Sequence, residues 1–477
     1  MNQPPLATAP APGRPRPYSF PPFERHRLAN GLTVLTVHLP GRPLVSAALL
    51  LRTGAADEPA AEAGATVLAA RALSEGTERY DAIALTEAAE RLGATLHAEA
   101  GWDAFSAGVD VPAPRLGPAL ELLAEMVARP TFPEREVERL RDERLNDILQ
   151  ARADPRRRAD EGFIETIYTD RSPYHRPAGG TAGTVERLGP AELRAAHERG
   201  FDPQLMTLVV AGDLTGLDLP ASAERLFGLW TARPGAMAPG QVVAESAVRR
   251  RFVRLYHRPG SVQTEIRIGH VGLPRRIPDF HAVTVMSAIL GGLFSSRLNM
   301  KIREEKGYAY GAGAGFDLRR GRGPFSARAA VNGEVTVPAI ADMLVELERM
   351  RDEPVTETEL VAARDFLVGV FPLRFETPGP IVGALAGLVV HELPDDELAR
   401  YRPSIERVTI DDVLAAARAH LDLEHSAIVL VGDADQLVPG LEAAGFGPLE
   451  IVPEAGPAIR GPLEGVEDEL GPVEGGG

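Results

Sequence analysis

Short runs of β-branched and aliphatic residues alternate along the chain with longer stretches of helical periodicity. Two runs share an ending, Gly-Asp: LMTLVVAGD at 205–213 and HSAIVLVGD at 425–433. Each predicts a buried strand followed by a turn. A second pair of runs has nearly the same separation. Arg42-Pro43 precedes VSAALLLRTG, ending at Gly54, and Arg258-Pro259 precedes SVQTEIRIGHVG, with Gly269 and Gly272 near its end. Both read as strands, and each leads into an apolar, helix-like stretch, AGATVLAARAL (63–73) and FHAVTVMSAIL (280–290). Two matched markers with one offset predict a duplicated fold, roughly 220 residues per copy.

Between the strands the period changes. Residues 115–128 place Leu116, Leu120, Leu123 and Val127 on one helical face, and 134–152 form a charged helix followed by Pro155. This order of elements predicts an α+β fold of two duplicated domains, each an antiparallel-rich sheet with helices on one face. The domains are expected at 23–230 and 248–452. The segment 231–247, opening on TARPGAMAPGQ, reads as a linker, because it is rich in Gly, Pro and Ala without apolar period. Residues 1–22 read as a tail. Residues 453–477 are acidic and rich in Gly and Pro, and are expected to be disordered.

Composition narrows the function. A net charge of −16 over 477 residues argues against a general nucleic-acid binder, which needs a basic face for phosphates. With no cysteine, thiolate metal sites and disulfides are excluded, so any metal would need His, Asp and Glu. None of the 11 histidines lies four residues from another, the spacing that sets two ligands on one helix face. The first residues lack the apolar core of a secretory signal, and no apolar run is long enough to span a membrane. A cytoplasmic protein is expected.

Residues 58–77 read EPAAEAGATVLAARALSEGT. This resembles the segment of inverzincin metallopeptidases in which a helix carries H-x-x-E-H ahead of Gly-Thr. There, two His bind Zn²⁺ and the Glu activates the metal-bound water. Gly64 and Gly76-Thr77 fit that frame, but the His positions hold Val67 and Arg71 and the base position holds Ala70. A distal Glu ligand is replaced by Asp147. No metal is therefore expected on this chain.

Residues 289–316 read ILGGLFSSRLNMKIREEKGYAYGAGAGF. Residues 296–306 read as a helix with Leu298, Ile302 and Met300 inward, stopped at Gly307, and YAYGAGAGF reads as a strand with Tyr310 near its start. The segment resembles the second-half signature of the pitrilysin/insulinase-like peptidases, including bacterial relatives of mitochondrial processing peptidase. The resemblance spans about residues 23–452. It implies that Arg303 and Tyr310 face a zinc site across an enclosed chamber. It also implies that Gly291-Gly292 lies where non-zinc subunits carry a Gly-rich, substrate-binding loop, here much shorter. Two such domains make one half-clam. The implied function is the non-zinc subunit of a heterodimeric metalloendopeptidase, acting on a peptide or unfolded chain with a homologous partner that carries the zinc. The alternative is a non-catalytic scaffold or peptide-binding protein of the same fold.

Overall fold

The computed structural model describes Gly13 and residues 16–453. The first sheet comprises β1 (Glu24–Arg27), β2 (Thr33–His38), β3 (Leu44–Leu51), β4 (Thr95–Ala100), β5 (Phe105–Pro112) and β6 (Thr207–Gly212), in the order β1-β2-β6-β3-β5-β4. The second comprises β7 (Phe252–His257), β8 (Gln263–Val271), β9 (Ala312–Phe316), β10 (Pro324–Asn332), β11 (Ala427–Gly432) and β12 (Leu449–Pro453), in the order β12-β7-β11-β8-β10-β9. The inner order repeats strand for strand. β2 runs parallel to β6 as β7 does to β11, and the pairings through β3, β5 and β4 are antiparallel like those through β8, β10 and β9. The α+β duplication expected from the Gly-Asp markers is therefore the fold. The copies differ at one edge, where β1 is antiparallel to β2 and β12 is parallel to β7.

The repetition extends to polar detail. The His38 imidazole accepts a hydrogen bond from the Leu214 N–H, and Asp213 accepts one from the Gly41 N–H (3.1 and 3.0 Å). In the second half His257 accepts from Ala434 N–H and Asp433 from Gly260 N–H (3.0 and 2.9 Å). Each pair ties the end of the Gly-Asp strand to the neighbouring turn.

Each half's own helices cover one face of its sheet. In the first, Leu120, Leu123 and Val127 of the Leu116–Ala128 helix enter the core beside Val45, Leu49 and Leu208. The opposite faces are covered reciprocally. The Pro378–Val390 helix of the second half lays Ile381, Leu385 and Leu388 on Leu35, Leu50 and Val209 of the first sheet. The Pro155–Ile167 helix of the first half lays Ala159, Phe163 and Ile167 on Tyr256, Val429 and Val431 of the second. The reason is legible in the strands. β6 and β11 are buried at all six positions, the pattern of a strand covered on both sides.

The connecting segments take part in this packing. The 231–247 segment is pinned by Gly240 N–H to Asp57 (3.1 Å) and by pairing of Thr169 with Glu245 and Ala247 with Ile167. At the N-terminus, within the stretch read as a tail, Phe20 packs edge-on against Phe375 at 5.0 Å, and Arg402 donates to the carbonyls of Arg16 and Tyr18. The expected acidic tail beyond Pro453 lies outside the described residues. Among the described residues, no single helix is long and apolar enough to cross a membrane.

This packing has two measurable outcomes. Because each half covers the other's sheet, heating should give one calorimetric transition for both. Phe163→Ala, a buried large-to-small change, should lower it by the equivalent of about 3–5 kcal/mol. Two transitions, only one of them responding, would refute the exchange as a source of cooperativity. The second outcome concerns His197, which is 3% exposed among Phe105, Phe132 and Phe201. Burial there pushes its imidazole down to about 4 from 6.5. The folded protein holds it neutral while the unfolded chain takes up a proton below about pH 6.5. Stability should therefore fall as pH drops from 6.5 towards 4, by up to about 1.4 kcal/mol per unit from this residue. Urea midpoints at pH 7 and 5 should show a smaller loss for His197→Leu than for the wild type.

Candidate site: a motif helix without ligand side chains and an exposed arginine and tyrosine

The Ala65–Ala72 helix carries the degenerate motif and is firmly held. Glu58, whose side chain is wholly buried, accepts hydrogen bonds from the N–H groups of Gly64 and Thr66 at the helix start, with Arg176 at 3.6 Å. Burial raises the Glu58 carboxyl above its ordinary range, although these hydrogen bonds work the other way. Reading for metal ligands passed over Glu58, since its task is to satisfy orphan helix N–H groups.

The ligand positions do not fit a zinc ion. Ala70 is buried and, like Val67, has no donor atom. Arg71 points outward to Glu143 (3.1 Å), which also takes Arg139 (2.6 Å). Asp147, one helical turn on, is bound by Arg144 and by Arg157 (2.9 Å). Partial burial tends to raise the Asp147 carboxyl, but the two guanidinium groups hold it below its ordinary range. Guanidinium charge thus stands around the carboxylates of this region. Elsewhere His257, Asp433 and Asp435 place ligand atoms within 4.8 Å of one another. The repeated His–Asp tie accounts for that cluster, because the His257 acceptor nitrogen is already bonded to Ala434 N–H.

In the second half the signature segment is built on two π-helical turns, Ala288–Gly292 and Met300–Glu305, flanking the short Arg297–Asn299 helix. Such turns insert a residue into the helical ladder and recur at functional sites. Gly291 has a packing reason of its own. A Cβ there would lie 2.0 Å from the Ala314 nitrogen, so the turn can approach edge strand β9 only with glycine. Arg297, its side chain 8% exposed, grips Glu359 with two hydrogen bonds (2.6 and 3.1 Å). Desolvation would raise Glu359, but the Arg297 bonds bring it down to about 2. Asn299 donates to the Phe294 carbonyl at 2.7 Å and its side-chain oxygen takes the Ala312 N–H at 3.4 Å. Arg297, Asn299 and Glu359 thus form a hydrogen-bonded base under the segment.

On that base the predicted pair is exposed. Arg303 lies in the second π turn, 40% exposed, with its guanidinium 4.7 Å over the ring of Phe294 and 3.3 Å from Glu304. Phe294 is itself 65% exposed. Gly307 ends the helical turn at φ +65°, as expected. Tyr310, read as early in a strand, instead stands in the loop before β9 and is 96% exposed. Pairing with β10 begins only at Ala312, because Tyr308 N–H is drawn back to the Ile302 carbonyl (2.9 Å). Met300, expected inward with Leu298 and Ile302, is 44% exposed while those two are fully buried. Position i+2 lies on the opposite side of a helical turn. Phe294 escaped the sequence reading, where it looked like any apolar residue before Ser-Ser.

Comparison with known proteins gives the same outline. Residues 33–177 match the model for insulinase (peptidase family M16), and residues 187–367 match the peptidase M16 inactive domain. A protein of Mycobacterium tuberculosis named an uncharacterized zinc protease is 28% identical over 414 residues, covering 85% of this chain and 92% of its own. A protein of Helicobacter pylori named a non-peptidase homolog is 21% identical over 389 residues, covering 81% and 88%. The crystal structure of a peptidase M16 inactive domain from Pseudomonas fluorescens superposes with a TM-score of 0.80 at 26% identity, covering 86% of this chain and 98% of that one.

The donor chemistry of the motif helix carries one prediction. After dialysis against trace zinc, metal analysis of the full chain should find far less than one equivalent. One tightly held zinc per chain would overturn the reading of Val67, Ala70 and Arg71.

Proposed function

The chain belongs to the insulinase family of peptidases, M16, and on that premise we propose that it is a subunit without its own metal, contributing Arg303 and Tyr310 to the active site of a homologous, zinc-bearing partner. The observation that carries the proposal is a contrast within one molecule. The metal positions are filled by Val67, Ala70 and Arg71, while the arginine and tyrosine of the second half are intact, outward-facing and built on a hydrogen-bonded base. A fold kept only as a scaffold has no need of a nearly free tyrosine hydroxyl and a ring-stacked arginine within one exposed segment.

The division of labour rests on the groups themselves. The partner would hold the zinc donor set that this chain lacks. Tyr310 presents an O–H that can donate to an oxygen gaining negative charge as a peptide bond is attacked. Arg303 can grip a carbonyl or carboxylate of the peptide. Phe294 limits the rotamers open to Arg303, so that less freedom is lost when substrate is bound. Gly291 and Gly292 would border the peptide's path, and the substrate is a peptide or unfolded segment. The alternative is a scaffold or peptide-binding role, favoured by the name of the Helicobacter pylori relative, a non-peptidase homolog.

A mixing titration separates the two. The chain is added to its zinc-bearing homologue and cleavage of a quenched-fluorescent peptide is monitored. Activity should rise to a stoichiometric end point. Tyr310→Phe should lower kcat by about 10²–10³-fold with little change in KM. Arg303→Ala should damage both, Phe294→Ala should mimic it more weakly, and Phe294→Tyr should restore the stacking and the activity. Full activity from the Tyr310→Phe and Arg303→Ala complexes would leave the scaffold reading ahead.

A further inference from the structure

Away from Arg303 and Tyr310, where the halves and the 231–247 segment meet, lies a recess of about 340 Å³. Its lining carries the four guanidinium groups of Arg52, Arg276, Arg319 and Arg320, with the imidazole of His391, which burial pushes towards its neutral form, against one carboxylate, Glu392. Four guanidinium groups thus gather in one recess of a chain whose net charge is −16. The four arginines reach it from separate places: the end of β3 and its following turn, the loop after β8, and the loop between β9 and β10. Asp57 pairs with Arg320 (2.8 Å) and Asp317 with Arg319 (2.9 Å). Even so, Arg52 Nε, Arg319 Nη1, Arg320 Nε and His391 Nδ1 are shut off from water without a hydrogen-bond partner among the described residues. The three guanidinium N–H groups left in this state are costly, and nearby negative charge would offset the cost.

The recess already holds an oxyanion of the chain's own. Glu392 bridges Arg52 and Arg276, the latter at 3.6 Å. It does so from a left-handed backbone position, φ +51°, that is unfavourable for a residue other than glycine. Its side chain is 56% exposed and could swing into solvent. Guanidinium groups converging from three chain segments suit a tetrahedral oxyanion better than a planar carboxylate, which two nitrogens of one arginine can satisfy. We propose that this recess is a binding site for a phosphate group, free or at the end of a nucleotide's phosphate chain, with Glu392 as the internal group it displaces. Bound phosphate would bridge both halves and the segment joining them.

The test is isothermal titration calorimetry of the full chain with inorganic phosphate, pyrophosphate, ATP and acetate at fixed ionic strength. Saturable binding of phosphate or pyrophosphate is expected, with Kd near or below about 1 mM. Binding of ATP alone would assign the site to nucleotides. Gln241→Glu adds a carboxylate on the exposed linker rim, and Arg276→Ala removes a largely exposed cation. Each should weaken binding at least about 3-fold, whereas Glu392→Gln should tighten it by a similar factor. No saturable binding, equal binding of acetate, or affinities unmoved by all three substitutions would overturn the proposal.

Discussion

Strands β3, β6 and β11 carry apolar side chains towards both faces of their sheets, and a sheet with two apolar faces needs two covers. Each half makes one cover from its own helices and lends the helix that makes the other's second cover. Phe163 and Ile167 lie on β11, and Ile381 and Leu385 lie on β3 and β6. The contacts that complete one half therefore belong to the other half's sequence. This is why the connecting segment, poor in large apolar residues, is nevertheless held along its length by Asp57, Thr169 and Ile167. It also supports the signature segment from below. The second sheet beneath it is fixed from both sides, and Arg297 anchors the segment to Glu359.

Much of this was legible in the sequence. The paired Gly-Asp runs are β6 and β11, and the paired Arg-Pro markers sit before β3 and β8, so the repeat and its α+β character could be read from strands alone. Amphipathic helices at 115–128 and 134–152 were also plain. The exchange was not. Periodicity shows that the Pro155–Ile167 helix has an apolar face, but nothing in that pattern says which sheet receives it. The π turns were hidden for a related reason, since an inserted residue shifts a short helix's phase without changing its composition. The exposure of Tyr310 and the stacking of Phe294 on Arg303 depend on where the pairing of β9 begins, which a run of Ala and Gly does not specify.

Arginine side chains, rather than metal-ligand side chains, set the chemistry around the motif helix. Glu143 and Asp147 bring negative charge beside the helix that calls for nearby positive charge. Here arginine supplies it: Arg71 and Arg139 at Glu143, Arg144 and Arg157 at Asp147. The helix is held by its buried Glu58 anchor and by its packing, neither of which requires a metal-ligand side chain. Exposed ion pairs of this kind contribute little each, and their effect is to keep these two carboxylates compensated rather than to add much stability.

The reciprocal helices also decide what happens if the backbone is broken. A cut between Gly235 and Gly240 would sever the covalent link without removing any core contact, and the two fragments would stay interlocked. Made as separate polypeptides, each fragment would carry a helix with no sheet to cover and a sheet with one bare apolar face. Such pieces should be insoluble alone and should complement each other when produced together. The molecule is thus a split protein in waiting, one body by packing although its covalent continuity rests on a single surface segment.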